Sequence, residues 1–207
     1  MNLFLQIWGG GFYLTNKILL ALAEGRPKKF KRVLKLAGWL IYILGVPAWV
    51  IILSSKQNWI AASIEVGGVP SMLFGLYNVY KKTEVSSKRF DIIALSVTYA
   101  SLALGVGYSM LEYGGINSVT QLLEIGVMIG FLLGSYFLAK NRSFGWLFFM
   151  LMNGSMASLM FIQNKPILSI QQLFSLCFVI YGFTLAIKSR RNANHAINRT
   201  KNTSAQK

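Results

Sequence analysis

A hydrocarbon interior tolerates a polar side chain only where a partner, a cavity or a function accounts for it. Polar residues set inside apolar runs are therefore the first place to look for chemistry, and Glu65, Glu124, Asn153 and Gln172 are such residues. The two carboxylates could accept hydrogen bonds from the hydroxyls of a bound solute, or carry a coupling proton. Counted from the ends of their runs, both fall about 10 Å below the same surface, deep enough to face one cavity. The competing account makes each an acid favoured by a helix amino-terminal dipole, or the partner of Lys17. Asn153, near the middle of its run, donates and accepts at once, which suits a ribose or a carboxamide. Its plainer alternative is an interhelical hydrogen bond worth about 0.6 kcal/mol. Gln172 is the amide counterpart of Glu65. Trp39 and Trp146 open their runs, where a tryptophan is either an interfacial belt residue or a platform for a stacked ring. Trp59 reads as a belt residue, and Lys17, six residues from the end of its run, as a cation that snorkels to the headgroups.

Covalent and metal chemistry find no support in the sequence. His195 and Cys177 are the only histidine and the only cysteine, so a Ser/His/Asp set, a metal-ligand spacing and an intrachain disulfide are excluded together. No glycine-rich phosphate loop is present. Neither an enzymatic activity nor a cofactor is expected.

The elements that must position these residues follow from composition. Of 207 residues, 54% are hydrophobic and 13% charged, yet 21 Lys and Arg face 6 Asp and Glu for a net charge of +15. A soluble domain carries about 25% charged residues, and a disordered basic protein is poor in apolar ones. Nucleic-acid binding would gather the cations on a polar face. What remains is an all-α integral membrane protein. Seven windows of about twenty apolar residues can cross a bilayer: Asn2 to Ala23, Val33 to Leu53, Asn58 to Tyr80, Asp91 to Tyr113, Ser118 to Ala139, Ser143 to Ile162 and Pro166 to Ile187. Eighteen of the 21 cations lie in alternate connections and the tail. Lys56 and Lys165 alone lie in the opposite connections. Short basic loops stay cytoplasmic, so the amino terminus is expected outside and the carboxyl terminus in the cytoplasm. Residues 1–189 then form the membrane domain. Residues 190–207 are polar, with nothing to bury, and read as a disordered basic tail. The Asn198 and Asn202 glycosylation-type triplets fall in that tail and read as accidental.

Sliding the chain by 107 lays the second and third windows on the sixth and seventh without a gap. Gly38, Trp39, Leu40, Leu44, Ile60, Gly75 and Lys81 then meet identical residues, and Glu65 meets Gln172. The first and fifth windows need an offset near 117. The implied plan is a repeat over about 2–81, a connecting helix over about 91–113 and a second repeat over about 118–189. An odd helix between two three-helix units leaves them parallel, as in SWEET-type transporters. Gly67, Gly68 and Pro70, with Pro47, mark places where helices could bend or pack closely.

The stretch from Ser135 to Phe161 resembles the second half of the PnuC family of vitamin transporters. Trp146, Phe149 and Asn153 hold the family's spacing of tryptophan, aromatic and asparagine, and Gly182 with Phe183 matches its last-helix pair. The chain departs at Ser135, Phe149 and Ala186, where the family usually has Gln, often Trp, and Trp. The resemblance implies a 3+1+3 arrangement in a bacterial inner membrane and facilitated or ion-coupled uptake of a small vitamin precursor such as nicotinamide riboside. It also implies substrate contacts at Asn153, Trp146 and Phe149. The partners expected are such a vitamin or nucleoside-like solute and the lipid bilayer, with no nucleic acid; homo-oligomerisation is left open. A non-transporting sensor or scaffold, and a SWEET-like transporter of another small polar solute, are the alternatives.

Overall fold

The computed structural model describes residues 3–55, 59–81 and 87–205. Lys56, Lys82 and Lys207 lie outside the described residues, as do the side chains of Trp59, His195, Asn198 and Asn202. The seven windows are seven helices: α1 (Leu3–Ala23), α2 (Lys28–Ser55), α3 (Trp59–Lys81), α4 (Lys88–Tyr113), α5 (Val119–Ala139), α6 (Phe144–Ile162) and α7 (Pro166–Ala205). Five of them, α2 and α4 to α7, are long and apolar enough to cross a membrane. The other two have the length but are interrupted by polar residues: Asn16 and Lys17 in α1, Glu65 and Asn78 in α3. Asn16, Lys17 and Glu65 among them build the candidate site, while Asn78 bonds the Ala139 carbonyl.

Local chemistry sets the helix ends. Ser118 caps α5, its hydroxyl accepting from the Gln121 backbone N–H at 3.1 Å. Gly114, at φ 64°, ends α4 in the left-handed region, and the next N–H returns to the Met110 carbonyl. Arg32 donates to the Val79 and Tyr80 carbonyls at the close of α3, where a cation also meets the negative end of the dipole. One expectation fails: the polar run after Arg190 continues α7 as helix to Ala205. No glycine or proline interrupts it, and extending an existing helix avoids the cost of nucleating a new one.

α1 packs on α2 and α7, α3 on α2, α4 and α5, and α6 on α5 and α7. Followed round, α1, α2, α3, α5, α6 and α7 close a ring, while α4 touches only α3 and α5. Large apolar residues such as Leu104, Leu111 and Ile167 face outward. The ring interior is aromatic, with Trp39, Tyr42, Phe131, Trp146 and Phe149 all buried. Gly67 and Gly68 are packing positions, since a Cβ there would meet Ser101 and Phe131; α2 and α3 run unbroken through Pro47 and Pro70. Gly9 and Gly10 lie against Trp49 and Gln171, but Gly11 faces open space.

Candidate functional site

Positions one turn apart share a helix face, and α1 uses this to aim Tyr13, Asn16 and Lys17 into the ring. Lys17 does not snorkel: it is 0% exposed. Side chains tilt toward the amino-terminal end of their helix, so Lys17 leans back into the bundle, away from the nearer surface. Its Nζ sits 3.8 Å from the centroid of the Phe149 ring and 4.1 Å from that of Tyr42, with Tyr13 at 5.9 Å. Desolvated contacts of this kind contribute about 2 kcal/mol or more. Lys17 also donates to Asn16 Oδ1 at 3.2 Å, and Asn16 Nδ2 is spent on the Gly38 carbonyl at 3.0 Å.

Around this ammonium the other elements close a packed shell of rings and polar groups, the chamber. Tyr13 donates its hydroxyl hydrogen bond to Glu65 on α3, and Glu65 lies within electrostatic reach of Lys17. The Tyr13 ring stacks on Phe131 of α5 at 6.4 Å and 16°, and Tyr42 meets Phe149 edge-on at 6.3 Å. The Tyr42 hydroxyl is 3.4 Å from Ser135 Oγ. Asn153, one turn beyond Phe149, is 0% exposed. Its Nδ2 donates to the Phe149 carbonyl at 2.7 Å, and its Oδ1 has no partner. A buried acceptor left unpaired costs about 1–3 kcal/mol.

Trp39 and Trp146 are not belt residues: they are 2% and 1% exposed. A Cβ on Gly75 would stand 2.4 Å from Trp39, and one on Gly182 2.7 Å from Trp146, so each indole lies in a slot that only glycine leaves open. Both tryptophans line a small recess on the side of the bundle that carries Glu24 and Lys35. Glu24, just past α1, bonds Lys31 at 2.6 Å and Lys35 at 3.0 Å. Burial alone would raise its carboxyl, but Lys35 and Lys31 outweigh that and hold it below the ordinary carboxylate range.

The expected residues thus divide. Glu65, Asn153, Phe149, Trp146 and Trp39 come together in or beside the chamber. Glu124 does not: it is exposed with Val119 and Leu122 on the first turns of α5, near Glu112. On this stretch of α5, Gln121 and Ile125 are the residues packed inward, Gln121 bonded to Ser109 and the Gly115 carbonyl. Gln172 is half-buried on α7, while its neighbour Gln171 covers Gly10. Missed at the sequence level were Tyr13, Asn16, Lys17, Tyr42 and Phe131. An offset of 118 in place of 117 would have found several, since it lays Tyr13 on Phe131 and Leu20 on Leu138. Those two leucines pack over Gly38 and Gly145, which are themselves 107 apart. Among the described residues, no group of three or more His, Cys, Asp or Glu could hold a metal. No family model matches the chain, and neither the curated proteins nor the solved structures compared with it contain a match.

Proposed function

We propose that the chain is a seven-span transporter of the 3+1+3 plan, similar to the PnuC family, moving a small polar ring-bearing solute by alternating access between two three-helix units. The observation that carries this reading is the packed shell itself: a fully buried Lys17 on the faces of Tyr42 and Phe149, with Tyr13 bonded to Glu65, inside a ring of helices. The helix contacts support the plan. Exchanging α1, α2 and α3 for α5, α6 and α7 returns the same set of ring neighbours, and the Trp39–Gly75 and Trp146–Gly182 slots exchange with them. On this reading the basic end faces the cytoplasm, with the amino terminus outside and the carboxyl terminus inside, because short basic loops stay cytoplasmic, and the family resemblance implies a bacterial inner membrane.

For a nicotinamide riboside-like solute, Phe149 and Tyr42 offer ring faces, Asn153 Oδ1 an acceptor and Glu65 a partner for hydroxyls. Lys17 favours a second reading of the substrate. An ammonium seated on those faces competes with a cationic ring and suits an uncharged or acidic solute, which is the SWEET-like alternative. Uptake of labelled nicotinamide riboside, thiamine and nicotinamide into proteoliposomes tests both. At least one should enter through the wild type, and Asn153→Ala and Glu65→Gln should each slow it about tenfold, the worth of one hydrogen bond in the chamber. Lys17→Met should move the preference toward cationic solutes. A folded wild type that admits none of the three sinks the reading for these substrates, and wild-type rates in Asn153→Ala sink the site.

A further inference from the structure

The basic end of the bundle carries a concavity whose cations are not residues of the chamber, although Trp146 stands in its wall. Lys31 and Lys35 of α2, Arg142 of the α5–α6 connection and Arg190 of α7 converge on a cavity of about 90 Å³, with Trp146 and Glu24 also in its wall. At roughly 30 Å³ per water, that is the space of about three waters. Four cations face one acid. Glu24 engages Lys31 and Lys35 through its two oxygens, which leaves three positive charges in excess. Lys31 and Arg190 both lie within electrostatic reach of Lys35, so the cluster repels itself.

Orientation requirements alone do not call for this geometry. A positive-inside signal needs cations on one side of the membrane, not gathered around a hole. The connection is also pinned so that the hole stays open to donors. Asn141, at φ 54°, accepts Lys35 on its side chain at 3.0 Å and Arg190 on its carbonyl at 3.0 Å. Each guanidinium carries five donors in a fork that matches an oxyanion, and each ammonium carries three. The bonds above use only part of that supply.

We propose that this pocket binds a phosphate-bearing anion, held by Arg142 and Arg190 with Lys31 and Lys35 behind them. The same chemistry is offered by a soluble phosphate and by an anionic lipid headgroup, and basic pockets at the cytoplasmic ends of helices do bind such headgroups. The proposal does not depend on the transport reading.

The unfolding midpoint of the full chain in neutral detergent, titrated with inorganic phosphate against chloride at matched ionic strength, is the first arm. Nanodiscs of phosphatidylcholine, with and without phosphatidylglycerol, are the second. A saturable rise with phosphate identifies a soluble ligand, and a rise only with phosphatidylglycerol identifies a headgroup; either supports the site. Arg142→Gln and Arg190→Gln, both at exposed positions, should each weaken the response about tenfold. Lys188→Gln, on the same end but outside the cavity, should leave it unchanged. No rise in either arm overturns the proposal. So does an equal loss in Lys188→Gln, which would mean diffuse surface charge.

Discussion

Tyr13, Lys17, Tyr42 and Glu65 of the chamber have counterparts at fixed sequence offsets in the last three helices, and the two sets differ in kind. α1 to α3 bring Tyr13, Lys17, Tyr42 and Glu65; at offsets of 118 in α5 and 107 in α6 and α7 stand Phe131, Ser135, Phe149 and Gln172. Ring answers ring, but phenol becomes phenyl, ammonium becomes hydroxyl and carboxylate becomes amide. Shape is shared between the halves while charge is confined to one. Asn153 reverses the pattern, since its counterpart is the buried Val46. On the proposed 3+1+3 plan the scaffold could tolerate duplication, because packing needs only volume and contact. Charge cannot be duplicated as freely, because two ammonium groups meeting at one axis would repel across a medium that screens them poorly.

The shared part should break symmetrically and at the largest cost. Gly75→Val and Gly182→Val each drive side-chain atoms into an indole that is buried and has nowhere to swing. Overpacking of this severity costs about 3 kcal/mol, so chemical unfolding in mixed micelles should show two similar large losses. A loss in one variant alone would mean that the two slots are not equivalent.

The unshared part extends to the basic end, where Glu24 gathers Lys31 and Lys35 but the α5–α6 connection offers only the Asn141 amide to Lys35. Glu24→Gln should cost about 2 kcal/mol, the worth of hydrogen bonds to a charged group. The sign of the pH effect follows from the depressed carboxyl. A group whose folded value lies below its unfolded one stabilises above the unfolded value, about 4.3 for Glu. That contribution fades as pH falls through the folded value. The gap in unfolding midpoint between wild type and Glu24→Gln should therefore be full at pH 7 and close in acid. A gap independent of pH would remove the charge from the explanation.

How much of this was legible beforehand varies by residue type. Helix ends were readable to within a few residues, apart from the basic extensions of α2 and α4 and the long continuation of α7, because apolar runs and the turn residues between them mark where chain can be buried. Trp146, Phe149 and Asn153 were singled out by a resemblance to a family spacing, and all three are buried on α6. Lys17 was misread: its distance from the helix end suggests an escape route, but only the rings of α2 and α6 reveal that it has a seat inside. Glu124 shows the opposite case, since it stands exposed with no neighbour to enclose it. Contacts between helices far apart in sequence, such as that of Tyr13 with Glu65, leave no trace in either segment alone.

The smallest effects sharpen the comparison most, because they convert one half's residue into the other's. Tyr13→Phe gives α1 the ring that α5 already has and takes the donor away from Glu65, so it should cost about 2 kcal/mol and slow uptake as Glu65→Gln does. Tyr42→Phe makes α2 match Phe149. The hydroxyl it removes sits 3.4 Å from Ser135, at the outer edge of hydrogen-bond range, so the cost should be about 0.5 kcal/mol. Lys17 rests on ring faces, and Phe149, which has no hydroxyl, holds it at 3.8 Å, closer than Tyr42 at 4.1 Å. The cation's seat should therefore survive Tyr42→Phe with uptake unchanged, while Tyr42→Leu, which removes the face, should lose both. If Tyr42→Phe instead abolishes uptake in a folded protein, the hydroxyl is handling solute, and the two rings differ in function as well as in name.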